Sequence, residues 1–77
     1  MKIGTVLGKV GLSIAAPGFA NDIWMQVRMD DQVLVAADIT GVKAGDLVLV
    51  LQGVGADRYR QDLRCDALIV GKVENLK

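Results

Sequence analysis

Histidine is absent from this 77-residue chain, and cysteine occurs once, at Cys65. Without histidine, a hydrolase triad loses its usual proton shuttle, and a metal-activated water loses its commonest anchoring ligand. One cysteine excludes an intrachain disulfide, and a structural zinc site lacks its usual ligand set. Aromatic residues are equally scarce, with Phe19, Trp24 and Tyr59 in separate segments. Net charge is also missing: nine basic side chains cancel nine acidic ones, so nothing draws the chain as a whole to a phosphate backbone. No apolar run approaches the length of a membrane span. The opening Met1-Lys2-Ile3-Gly4 is no signal peptide, because lysine and glycines interrupt any apolar core. The lone thiol suits a reducing compartment. These absences predict a soluble, cytoplasmic, one-domain protein with no membrane partner.

What the chain does have is apolar residues, 52% of the total. That is more than a small sphere easily hides. A monomer of this size buries only about 60% of its unfolded surface. The resulting hydrophobic gain, about 110 kcal/mol, is offset by about 115 kcal/mol of ordering cost. With no disulfide or metal available as a staple, association is the remaining device.

The stretch Val33–Gly53 concentrates the pattern. Two apolar, β-prone runs, Val33–Ile39 and Leu47–Leu51, flank the turn Thr40-Gly41-Val42-Lys43-Ala44-Gly45-Asp46. Nearly every residue in both runs is apolar, which calls for cover on more than one face. That cover comes from the rest of the chain or from other copies of it.

Around this centre the sequence predicts three further strands. Ile3–Leu12 is the first, with Val6, Val10 and Leu12 on one parity and Ile3, Thr5, Leu7 and Lys9 on the other. Its glycines, Gly4, Gly8 and Gly11, suit a strongly curled strand. Ser13–Asp22 is a loop with Pro17-Gly18 as its turn signal and Phe19 as its anchor. Ile23–Met29 is the second strand, with Met25, Val27 and Met29 toward the core and Trp24, Gln26 and Arg28 away from it. Asp30-Asp31-Gln32 is a short hairpin connection. The charged segment Ala56–Cys65 reads as a short helical turn or loop, Ala67–Val73 as the fifth strand, and Glu74–Lys77 as a tail. Five short strands and no substantial helix predict an all-β, small five-stranded barrel of OB type, closed or nearly so.

No constellation in this sequence carries enzyme chemistry. Cys65 has Arg64 and Arg60 nearby but no histidine to act as its base. Asp30 and Asp31 are adjacent in a tight connection and point apart. Gly53-Val54-Gly55 is followed by neither the lysine-serine pair nor the long helix of a phosphate loop. The chain is therefore expected to be no enzyme, with no catalytic residue, no metal site and no cofactor. An OB-type barrel raises single-stranded nucleic acid as a partner, but such sites need a basic groove with stacking aromatics. Here Arg58, Arg60 and Arg64 alternate with Asp57, Asp62 and Asp66. A binding module for single strands or for a protein partner stands as the alternative function.

The order and spacing of several segments resemble a known family. They are Met1-Lys2-Ile3-Gly4-Thr5-Val6-Leu7-Gly8-Lys9-Val10; Gly18 ahead of Met25-Gln26-Val27; Val35-Ala36-Ala37-Asp38 followed by Gly41; Gly45-Asp46-Leu47-Val48-Leu49-Val50 followed by Gly53 and Ala56; and Asp66-Ala67-Leu68-Ile69-Val70-Gly71-Lys72-Val73-Glu74. Across nearly the whole chain this resembles the EutN/CcmL family, the vertex proteins of bacterial microcompartment shells.

The resemblance implies one vertex domain over 1–77, an OB-like barrel that assembles with itself as a homopentameric ring. Such rings cap the five-fold corners of a shell whose facets are hexameric proteins, in the bacterial cytoplasm. Hexagonal tiles alone stay flat, and five-fold units close them. Val42 and Lys43 stand where the family usually has alanine and glycine, and the Asp30-Asp31-Gln32 hairpin is shorter than usual. Gly55 and Asp57 also alter the segment after the fourth strand. The resemblance places the turn residues Gly41, Lys43, Gly45 and Asp46 near a subunit interface or the ring axis.

Overall fold

Alternation of apolar and polar side chains decides which face of each strand turns inward. In the computed structural model, which describes residues 1–16, 22–53 and 66–74, five strands form. They are β1 Lys2–Val10, β2 Ile23–Met29, β3 Gln32–Asp38, β4 Leu47–Gln52 and β5 Ala67–Lys72. They close a barrel in the order β1-β2-β3-β5-β4, β4 pairing back onto β1. Every pairing is antiparallel except β3 with β5, which run parallel through Ala37↔Leu68 and Asp38↔Ile69. Closure leaves few strand edges unpaired, which a lone small sheet cannot manage. The five-stranded OB-like barrel expected from the sequence is the fold observed. No helix among the described residues is long and apolar enough to cross a membrane.

The interior is built as β2 predicts. Met25, Val27 and Met29 are buried with Val6, Ala36, Val42, Val48, Val50, Ala67 and Ile69. Gln26 and Arg28 face out and are exposed. Trp24 departs from that face's polar reading: it is buried with Ala37 and Leu68 in a second cluster, against which Val10 and Val70 pack. The register explains the cluster, since Trp24 pairs with Ala37 and Val10, and Ala37 with Leu68.

Val10 marks a correction to the first strand. The expectation put Val6 and Val10 on one parity, but the β1–β2 register shifts between Val6 and Gly8. The extra residue of that bulge reverses the alternation. Val6 therefore enters the main core while Val10 joins the Trp24 cluster. Beyond the bulge β1 ends at Val10, two residues before the expected Leu12.

Other boundaries move by one residue. The hairpin turn is Asp30–Asp31 alone, because Gln32 already pairs with Met29 and belongs to β3. Asp30 takes the positive φ, 29°, that a tight two-residue connection needs. Ile39 falls outside β3, and β5 stops at Lys72, although the Val73 amide still donates to the Leu47 carbonyl at 2.7 Å. The expected helical turn over 56–65, with Cys65 and the arginine cluster, lies outside the described residues, as do the Pro17-Gly18 turn and Phe19.

Candidate functional site at the β3–β4 turn

The turn singled out in the sequence runs from the end of β3 across the barrel mouth to β4. Its anchor is Asp38, whose side chain is buried at the last position of β3. One carboxylate oxygen, Oδ1, accepts from the Thr40 amide at 2.8 Å and the Thr40 hydroxyl at 2.7 Å. The other, Oδ2, accepts from the Gly41 amide at 3.0 Å and the Val42 amide at 3.1 Å. A short acidic side chain that caps the amides ahead of it is the standard Asx device for reversing a chain. Gly41 completes the reversal with a φ of 83°, a value open to glycine at little cost.

The reversal drives Val42 inward, where it is buried among the core residues. There its branched side chain plugs the barrel mouth. Lys43 instead is exposed, and its backbone hydrogen-bonds within the turn. Its amide donates to Asp46 Oδ2 at 2.9 Å, and its carbonyl accepts from the Asp46 amide at 3.1 Å. Gly45, third in that four-residue turn, has a φ of 91°, as a type II turn requires.

Two backbone bonds rivet this turn to β1. The Gly45 amide donates to the Val6 carbonyl at 2.8 Å, and the Val6 amide donates to the Asp46 carbonyl at 2.9 Å. Asp46 also meets Lys72 of β5, with Nζ 3.6 Å from Oδ1. Lys72 is half exposed and Asp46 partly so, and a solvent-screened pair of this kind adds about 1 kcal/mol at most. The structure thus brings Gly41, Lys43, Gly45 and Asp46 together on one clamped turn. Sequence reasoning missed Asp38 as the residue that holds it. An aspartate two residues before Thr40 and three before Gly41 is the signal that could have found it.

A closed five-stranded barrel, its mouth plugged by a riveted turn, defines a small OB-like structural module. The chain belongs to the EutN/CcmL family, described as ethanolamine utilisation protein EutN/carboxysome, whose model matches residues 1–74. Solved structures agree. The ethanolamine utilisation protein EutN from Escherichia coli is 30% identical, with a TM-score of 0.86, covering 100% of this chain and 89% of its own. CcmL of Gloeobacter violaceus is 26% identical, with a TM-score of 0.88 and coverage of 100% and 89%. The GrpN pentameric microcompartment shell protein from Rhodospirillum rubrum is 26% identical, with a TM-score of 0.84 and coverage of 100% and 98%. No curated protein sequence matches the chain. The family is one of structural proteins of microcompartment shells, as the sequence resemblance implied.

Proposed function

We propose that five copies of this chain close into a ring that caps a five-fold vertex of a bacterial microcompartment shell. In this reading the protein works by shape, meets hexameric facet proteins at its rim, lies in the cytoplasm and catalyses nothing. One observation carries it: the family match over 1–74, joined to a fold shared end to end with a shell protein described as pentameric. Heterologous contacts between identical subunits close into a ring when the rotation per step fits a whole number of copies. Nothing favours the alternative of a module for single-stranded nucleic acid.

Native mass spectrometry tests the ring. Five chains of 8.2 kDa should give one species of about 41 kDa that persists on dilution to micromolar subunit concentration. A stable monomer there would sink the reading. Co-purification with hexameric shell proteins from the same operon tests the vertex role.

The turn bearing Gly41, Lys43, Gly45 and Asp46 belongs in this proposal, near a subunit interface or the ring axis. Lys43 joins the turn through its backbone, so Lys43→Glu should leave barrel unfolding within about 0.5 kcal/mol of wild type. Repeated five times around a ring, the reversed charge should shift the subunit concentration at which pentamers dissociate. An unchanged dissociation profile would argue against this placement.

A further inference from the structure

We draw no further inference here: the strongest candidate, the exposed apolar patch of Leu12, Ile14, Ile23 and Ile39 at the barrel end where β1 finishes and β2 begins, carries nothing because nothing in the structure shows what covers it.

Discussion

Asp38→Ala should cost about 3 kcal/mol or more and give the largest loss of stability among single substitutions in the turn. The carboxylate accepts four hydrogen bonds, from the amides of Thr40, Gly41 and Val42 and from the Thr40 hydroxyl. Each buried donor left without an acceptor costs about 1–3 kcal/mol. Thr40 and Gly41 are exposed, so water replaces part of what they lose. The Val42 amide is buried and has no such recourse. Its side chain is the plug of the barrel mouth, so the core loosens with the turn. Against a net stability of about 5–15 kcal/mol for a typical domain, the loss is large. Asp38→Asn separates shape from chemistry. Its amide keeps one accepting oxygen but turns an NH2 toward two donors, so it should recover less than half of the loss. Urea unfolding at fixed subunit concentration measures all three proteins, since association adds to apparent stability. An Asp38→Ala variant within about 0.5 kcal/mol of wild type would show that the turn holds itself.

The parts of the fold that follow from alternation were legible in the sequence, and those that follow from interruptions of alternation were not. β2 was readable because Met25, Val27 and Met29 repeat at period two and are buried together. The β3–β4 pair was readable because two apolar runs flank a glycine-bearing turn. The fate of Val10 was not, because a single extra residue at the bulge reverses the side-chain parity and leaves no mark in the residue pattern except Gly8. Trp24 shows the same limit. It shares a parity with the exposed Gln26 and Arg28, but its register neighbours Ala37 and Val10 are apolar, and the long-range pairing that sets them is invisible in a local window.

The candidate site divides in a similar way. Gly41 and Gly45 were picked out by the family pattern, and both prove to hold positive φ. Asp38 was quoted as part of that pattern without a role, since a strand-end aspartate looks like any solvated acid until the amides ahead of it curl back. The outward residues of β3 supply the converse case. An unbroken apolar run predicted cover on both faces, yet Val33 and Val35 are about half exposed in a single copy. The surplus hydrophobicity of the run makes sense when the unit that folds to completion is larger than one chain.

Gly4→Ala should destabilise the barrel by about 1–3 kcal/mol, the usual range for forcing a methyl group into a packed core. The backbone conformation at Gly4 is not the problem. A Cβ there would lie 2.6 Å from Val27 Cγ1, 3.0 Å from the Arg28 carbonyl oxygen and 3.0 Å from Met29 Cγ. Valine has a stiff χ1 and cannot swing aside, and the carbonyl belongs to the strand that β1 must pair with to close the barrel. Gly8, four residues along the same strand, is the control, because a Cβ built there meets nothing within 4 Å. Gly8→Ala should stay within about 0.5 kcal/mol of wild type. For a domain of this size each kcal/mol moves the thermal midpoint by about 4–8 °C, so calorimetry at one subunit concentration resolves the pair. A double-mutant cycle identifies the cause. Val27→Ala removes the nearest clashing atom, so Gly4→Ala should cost markedly less in that background than in wild type. Equal costs in both backgrounds would shift the blame from Val27 to the Arg28 backbone, and a harmless Gly4→Ala would show that β1 does not approach β2 this closely.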